Sequence, residues 1–365
     1  MRIGVDCHVL SGLYQGSRTY LLNLYASVVA AQSPHRFIFY GGFNGDTPFG
    51  KAAQYRSFPS ESRWRRLTYQ TNRIVIADKL DMYHTTYISP LFLSCRSLVT
   101  VHDVLFETVP EYFSKAFVMR SRWLVRRSVL KATQVHTISN FSREMIVSKY
   151  GVSPHSVHLV PAGIDLQRFR SDHRDEAVRF VKSKYDLKDF LLSVGRLEPR
   201  KNHIGLIEAF ARVKKNNRKL GPLVIIGQQD FGFQHFLKRI TELGLEQDIR
   251  VLSNVPDSDL PSFYRAADIF IYPSFAEGFG IPVLEAMACG TPVITSDRTA
   301  MPEIVGNGGL LVDPCSVDSM ATALQRLVED RTLAERLSTV GVEIAKQWSW
   351  ENAAQKYLAA LAQME

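Results

Sequence analysis

Residues 268–290 constrain the fold more tightly than any other stretch of the chain. Residues 268–273 (Asp-Ile-Phe-Ile-Tyr-Pro) are β-branched and aromatic and end in proline, the pattern of a short buried strand. Gly278 and Gly280 then loosen the backbone. Pro282 suits the first position of a helix, where its missing N–H costs nothing. Val283, Leu284, Ala286 and Met287 follow at helical spacing, and Gly290 is placed to cap the end. The unit is strand, glycine loop, helix. Free N–H groups at such a helix start, with glycines before it, favour an anion. Glu277 in the loop and Glu285 in the first turn or so of the helix bracket that start. An anion cradle beside two hydroxyl-accepting carboxylates suits a sugar phosphate, although a glutamate early in a helix also simply favours the helix dipole.

The same alternation recurs along the chain. In the second half, strand patterns at residues 190–194, 223–226, 249–252, 269–272, 292–295 and 309–312 are separated by helical ones. In the first half they fall at residues 2–6, 37–40, 82–85, 97–101, 135–138 and 157–160. Short buried strands alternating with amphipathic helices specify parallel sheets wrapped by helices, an α/β fold. With 365 residues, two domains are expected. The polar residues 171–176 read as a linker.

Other residues carry chemistry by their place in this pattern. Gly16 lies in the loop after the first strand, a phosphate-approach position in doubly wound folds. That loop is not G-x-G-x-x-G, so a nicotinamide cofactor is disfavoured. His102 stands just past a strand end, where it could handle a proton, touch a sugar hydroxyl, or only bond structurally; Asp103 could cap the next segment. Arg196 and Lys201 bracket a strand-to-helix loop and could neutralise a diphosphate, one by a planar fork and one as a point charge. Asp257 and Asp259 resemble a metal-binding pair but precede a helix, so capping is expected instead. Ser139 is expected to cap another helix. Cys7, Cys95, Cys289 and Cys315 show no metal or disulfide spacing and read as small buried residues.

The chain starts directly on a strand pattern, without a charged-then-apolar leader, and no apolar run approaches the roughly 20 residues of a membrane span. Charge is uneven. Residues 1–165 hold 19 Lys and Arg against 10 Asp and Glu, whereas the remainder holds 25 against 26. The excess is concentrated on two helical stretches, one with Arg63, Arg65, Arg66 and Arg73, the other with Arg120, Arg122, Arg126, Arg127 and Lys131. Trp64, Leu67, Ile74 and Val75 punctuate the first, and Phe117, Trp123, Leu124 and Leu130 the second. Such a distribution calls for an anionic partner, a membrane surface or nucleic acid, unless these are solvated helix faces. Nucleic acid is disfavoured, since no recognition motif or stacking platform is evident.

Gly195-Arg196, Lys201-Asn202, the Glu277-x₇-Glu285 pair and the following Met287-Ala288-Cys289-Gly290-Thr291-Pro292 together resemble the retaining, nucleotide-sugar-dependent glycosyltransferases of GT-B fold that carry the E-x₇-E signature (glycosyltransferase family 4, group 1). The likeness is closest to mannosyltransferase-like bacterial members. The resemblance implies two Rossmann-like, doubly wound parallel-sheet domains facing a cleft. Residues 1–170 would bind the acceptor, residues 171–345 the donor, and residues 346–365 would form a helix returning to the first domain.

It also implies roles. Glu285 would accept the ribose hydroxyls, and Glu277 would hold hydroxyls of the transferred sugar. Gly278 and the backbone of Phe279, Gly280 and Ile281 would contact sugar and phosphate. Arg196 and Lys201 would clamp the diphosphate, which Gly16 approaches from the other domain. Backbone near Val255 would meet the base, and His102 would lie close to the reacting carbon. Gln228 and residues 253–255 (Ser-Asn-Val) depart from the family's glycine-containing pattern near the expected base pocket. No metal and no cofactor are expected beyond the donor itself. The implied activity is transfer of mannose or a related deoxyhexose, from a GDP-sugar rather than a UDP-sugar, to a glycan or lipid-diphosphate-linked acceptor. Retention would follow front-face attack, with a Glu277 nucleophile as second choice. The setting would be polysaccharide or O-antigen synthesis at the cytoplasmic membrane face, with the basic first half on the anionic inner-membrane surface. The alternatives are an inactive nucleotide-binding scaffold and a UDP-dependent glucosyl- or galactosyltransferase.

Overall fold

The computed structural model describes residues 1–11, 16–43, 47–60, 62–230 and 232–364. It divides into two compact units, residues 1–163 with 350–365, and residues 164–349. Residues 12–15 of the first loop lie outside the described residues.

In the first unit the strands are β1 (Arg2–Asp6), β2 (Arg36–Tyr40), β3 (Gln54–Arg56), β4 (Met82–Thr86), β5 (Arg96–Thr100), β6 (Gln134–Thr137) and β7 (Val157–Leu159). They form one sheet in the order β3-β2-β1-β4-β5-β6-β7, every pairing parallel. β1, β2, β4, β5 and β6 are buried along most of their length, as strands inside a parallel sheet are, whereas the edge strands β3 and β7 are partly exposed. The helix Gly16–Ala30 buries Tyr20, Leu21, Leu24, Tyr25 and Val28, an apolar stripe at helical spacing. Ser139 caps Asn140–Tyr150 by accepting the Ser142 N–H at 3.0 Å. Asp103 Oδ1 accepts from the Leu105 N–H at 3.1 Å. The terminal helix Trp350–Ala362 is fastened to this unit. Gln134 Nε2 donates to the Ala360 carbonyl at 2.9 Å, and the Tyr357 and Tyr25 hydroxyls are 2.7 Å apart.

The two basic stretches are helical, but their charges divide into two kinds. Residues 63–77 run as α-helix, a π-helical segment Arg66–Gln70 and α-helix again. Leu67 and Val75 are buried, whereas Trp64 faces solvent. Arg66 is buried and binds Asp6 at 3.3 Å. In Lys115–Lys131, Arg127 donates to the Pro90 and Leu91 carbonyls and Arg122 pairs with Glu107 at 2.8 Å. Arg66, Arg122 and Arg127 therefore hold this unit together. Among the described residues no helix is long and apolar enough to cross a membrane.

The second unit holds β8 (Leu191–Val194), β9 (Leu223–Ile226), β10 (Ile249–Leu252), β11 (Ile269–Tyr272), β12 (Val293–Ser296) and β13 (Gly309–Val312). Their order is β10-β9-β8-β11-β12-β13, again all parallel. Successive strands step outward in one direction from β8 to β10 and in the other from β11 to β13. The reversal falls between β8 and β11, so the loops leaving these two neighbours open side by side at the carboxyl edge, the ligand-binding position of such sheets. Gly227, at the end of β9, must be glycine: a Cβ there would lie 1.8 Å from the Gly195 carbonyl oxygen.

Four local expectations are corrected. Asp257 and Asp259 do not cap the next helix through their side chains. Asp259 instead accepts from Lys184 Nζ and the Tyr185 hydroxyl, each at 2.6 Å, and Asp257 pairs with Arg168 at 2.8 Å, because cations from neighbouring elements bind a carboxylate more strongly than a backbone N–H does. Residues 174–176, read as part of a linker, form the first turn of the helix Arg174–Tyr185. Pro282 is the second residue of Ile281–Ala288, which leaves Glu285 past the first turn. Cys315 is exposed and Cys95 only partly covered.

Candidate active site

The sequence from Gly195 to Asn202 leaves β8 and turns into a helix. Asn202 adopts φ 57°, a left-handed conformation that asparagine tolerates, and its side chain accepts the Gly205 N–H as a cap. This sharp entry fixes the backbone of Arg200 and Lys201 just before it. The Arg200 carbonyl accepts from the Phe275 N–H at 2.9 Å and the Ser274 hydroxyl at 3.0 Å, which ties the β8 loop to the β11 loop.

Glu277 lies at the centre of this junction and is buried. Its Oε1 accepts from Lys201 Nζ at 2.6 Å, Ser274 Oγ at 2.6 Å and the Tyr272 hydroxyl at 3.0 Å. Its Oε2 meets Arg200 at 3.0 Å. Arg200 also binds Glu198 at 2.6 Å and the Ala276 carbonyl. Burial alone would raise the Glu277 pKa, but Arg200, Lys201 and the hydrogen bonds from Lys201 and Ser274 overrule it and hold the group down at about 2. It is a fixed anion at any ordinary pH. Arg200 is pushed the other way: burial would lower it, and Glu277 and Glu198 raise it further.

Lys201 Nζ also donates to the Tyr272 hydroxyl at 2.6 Å. An ammonium has three donors, so two are committed and the third has no partner among the described residues. Beyond Glu277 the chain passes Gly278 and Phe279, both buried, to Gly280 at φ 107°. A Cβ on Gly280 would meet Met301 Cε at 2.4 Å, so both the backbone angle and the packing exclude a side chain. Phe279 sets its ring edge-on to Trp348, with centroids 5.3 Å apart. Helix geometry leaves the Ile281 N–H without an intrahelical partner. At the other end, Gly290 closes the helix at φ 73°, with Gly290 N–H on the Met287 carbonyl and Thr291 N–H on the Ala286 carbonyl, each 3.0 Å.

Glu285 projects from the second turn, half-buried, and accepts the Tyr264 hydroxyl at 2.6 Å. Burial raises its pKa to about 7, against the opposing effects of Tyr264 and Arg168. The two glutamates thus differ sharply in character, one locked as an anion and one able to change charge near neutrality.

The remaining predicted residues are distributed as follows. Arg196 is largely exposed and pairs with Asp230 at 2.6 Å, whereas Lys201 is the cation joined to Glu277. Val255 follows β10 in a partly covered loop. Gly16 and His102 belong to the first unit. Gly16 starts its helix on the surface, and a Cβ there would meet nothing within 4 Å among the described residues. His102 is buried two residues beyond β5, with its ring edge-on to Tyr20 at 4.7 Å and Tyr87 at 5.5 Å. Burial lowers its pKa to about 4, so the imidazole is neutral. Its Nε2 is shut off from solvent and has no partner among the described residues. A buried ring nitrogen left unbonded is costly, and an ordered water or a ligand can satisfy it.

Sequence reasoning missed Arg200, Tyr272, Ser274 and Tyr264. Arg200 was visible as a second cation beside Lys201. The other three are ordinary residues of a strand end, a loop and a helix, and only the fold brings them to a glutamate.

Two parallel sheets of this order, with a cation-and-glutamate junction at the switch point of the second, define the GT-B glycosyltransferase class. Residues 174–343 match the family model of glycosyl transferases group 1, and residues 14–168 that of Glycosyltransferase Family 4. The chain is 35% identical over 260 residues, 70% of its own length and 68% of the relative's, to O-antigen chain mannosyltransferase B of Escherichia coli. It belongs to the group 1, family 4 glycosyltransferases and is a hexosyltransferase enzyme. Among solved structures, sucrose-phosphate synthase from Thermosynechococcus elongatus shares the fold at TM-score 0.80 and 20% identity, covering 100% of this chain and 98% of that one. HepE of Anabaena, solved in complex with UDP and glucose, does so at TM-score 0.76 and 20% identity, covering 99% of each.

Proposed function

We propose that this enzyme moves mannose, or a closely related hexose, from a nucleotide diphosphate sugar to a glycan or lipid-diphosphate-linked acceptor in O-antigen or related polysaccharide synthesis. One observation carries the reading. The switch point of the second unit joins Lys201 to Glu277, 2.6 Å apart, immediately before the helix start at Ile281. A developing diphosphate charge needs fixed cations and N–H dipoles, and a sugar needs acceptors for its hydroxyls. Lys201 with its third donor, Arg196 and the helix start serve the first need; Glu277 and Glu285 serve the second. The identity to a mannosyltransferase supports a mannosyl donor, and we take GDP as its nucleotide. Gly16, Val255, Gly278, Phe279, Gly280 and His102 keep the roles that the family implies. The acceptor would place the enzyme at the cytoplasmic membrane face.

In the transfer, the bond from the anomeric carbon to the phosphate oxygen breaks and one to the acceptor oxygen forms. The acceptor's proton passes to the departing diphosphate on the same face. A covalent Glu277 intermediate is disfavoured, since a carboxylate held by two cations and two hydroxyls is a poor nucleophile.

The test is nucleoside diphosphate release and transfer across GDP- and UDP-sugars, with and without EDTA. We expect turnover with GDP-mannose that EDTA leaves intact. Glu277→Gln should lower transfer by about 10²-fold or more while GDP still raises the melting temperature. Turnover with UDP-glucose alone would replace the donor assignment, and no turnover with any donor would favour an inactive scaffold.

A further inference from the structure

We propose that Asp230 is a positioning residue for the departing nucleotide: it competes with the diphosphate for Arg196 and so limits how tightly the product is held. The inference rests on the reading above, in which Arg196 meets the diphosphate, and adds to that site a residue that governs product release.

Arg196 and Asp230 come from neighbouring loops whose backbones are locked together. β8 and β9 are paired, and the pairing continues past both strands. The Gly195 N–H donates to the Ile226 carbonyl and the Leu197 N–H to the Gln228 carbonyl, each at 2.9 Å. Leu197 and Gln229 then form a further parallel bridge. Beyond Asp230, Gly232 at φ 90° lies so near the β8 loop that a Cβ on it would be 3.2 Å from Pro199 Cγ. Asp230 therefore sits between two places where the β9 loop rests on the β8 loop. Its short side chain loses little freedom in pairing, and the backbone delivers the carboxylate to Arg196. Asp230 Oδ2 stands 2.6 Å from Arg196 Nη2, the aspartate side chain 19% exposed and the arginine side chain 57%. The carboxylate is the anchored member of the pair, and the guanidinium is the member that a ligand can reach.

The charges of these loops balance. Arg196 faces Asp230, Arg200 faces Glu198 and Glu277, and Lys201 faces Glu277, so three cations meet three carboxylates among the described residues. Arg200 and Lys201 share Glu277, whereas Arg196 has its countercharge outside that junction. A carboxylate and a phosphate are both fork-shaped acceptors for a guanidinium, so a diphosphate must draw Arg196 away from Asp230. The competition matters most after transfer. In the donor both phosphates are esterified on two sides. The product's terminal phosphate is not, and once the acceptor's proton has passed on to water the nucleoside diphosphate carries about one more negative charge at pH 7 than the donor. An unopposed Arg196 would therefore grip the product harder than the donor and slow turnover wherever release limits it. Asp230 gives Arg196 a carboxylate to return to as the product leaves.

The test is calorimetric titration of the full chain with GDP, UDP and GDP-mannose. Asp230→Asn should bind the nucleoside diphosphate about threefold more tightly than the wild type, within the range that a partly exposed ion pair allows. The donor should gain less, and added salt should shrink both gains. Asp230→Glu keeps the charge and should stay close to the wild type. Asp230→Ser serves as a second neutral variant, and melting temperatures without nucleotide show that each variant folds. In the Arg196→Ala background, Asp230→Asn should change nothing, which separates competition for Arg196 from a general effect of added positive charge. In steady state, Asp230→Asn should show stronger inhibition by the nucleoside diphosphate and a lower kcat without a higher KM. Unchanged or weakened nucleoside diphosphate binding in both neutral variants overturns the proposal, and so does a gain that persists without Arg196. If the wild type binds the nucleotide and only these comparisons fail, the transfer reading stands and this inference alone is removed. A wild type that binds neither GDP nor UDP removes both.

Discussion

Arg200 Nη1 stands 3.0 Å from Glu277 Oε2, with both side chains nearly sealed from water. A guanidinium cannot give up its proton in this setting, so it is a permanent countercharge. Lys201, which binds the other oxygen, can therefore shift toward a ligand phosphate without leaving Glu277 as an uncompensated buried anion. Replacing Arg200 by Ala should destabilise the protein by about 3–5 kcal/mol, the cost of stranding one partner of a buried pair. Arg200→Lys should recover part of that, keeping the charge and losing the fork. Thermal unfolding with and without GDP reads this directly, and a wild-type melting point for Arg200→Ala would refute it.

Glu285, as the ribose acceptor proposed above, should make nucleotide binding depend on pH. Its pKa is raised to about 7, and only the ionised carboxylate accepts two ribose hydroxyls at full strength. GDP affinity should accordingly rise as pH increases from 6 to 8, by about tenfold if the charge is fully used. Glu285→Gln should flatten the profile. Tyr264→Phe removes a hydrogen bond to the charged form and should move the midpoint upward. Calorimetry at several pH values decides, and a flat wild-type curve would count against Glu285 as the ribose acceptor.

Gly280→Ala should be among the more damaging small substitutions. It forces a Cβ into φ 107° and against Met301 Cε at 2.4 Å. Strain of this kind costs about 1–3 kcal/mol. Both the melting temperature and GDP affinity should fall, because the start of the helix is displaced. Pairing it with Met301→Ala relieves the clash but not the backbone angle, so recovery should be partial; complete recovery would show that packing alone requires the glycine.

The first unit should be sensitive to acid. His84 is buried among the Tyr25 hydroxyl and Thr100 Oγ1, the latter 2.7 Å from its Nε2. Burial, and then the neighbouring His102, lower its pKa to about 3. The unfolded chain takes up this proton near pH 6.5, whereas the folded chain resists it. Stability from the neutral ring is therefore complete above about pH 6.5 and is lost as pH falls toward 3. His84→Gln should reduce the slope of stability against pH in that window, measured by urea titration. An unchanged slope would place the acid sensitivity elsewhere.

The sequence by itself determined the architecture and marked candidates for the site. Strand patterns such as residues 269–272, closed by Pro273, reflect backbone preferences and side-chain periodicity, which are local. So do the cap at Ser139 and the Schellman turn at Gly290. Glu277, Glu285 and Lys201 could be marked as candidates because their spacing places them at loop and helix starts. Tertiary structure decided which charges meet. Arg196 turns to Asp230 while Arg200 joins Glu277, a choice made by how the β8 and β11 loops lie side by side. It also separated arginines that hold the fold, such as Arg66, from those left facing water, such as Arg126, and it turned Trp64 outward. Those outcomes depend on contacts between residues distant in the chain, and electrostatic partnership and burial are properties of such contacts, which no local pattern contains.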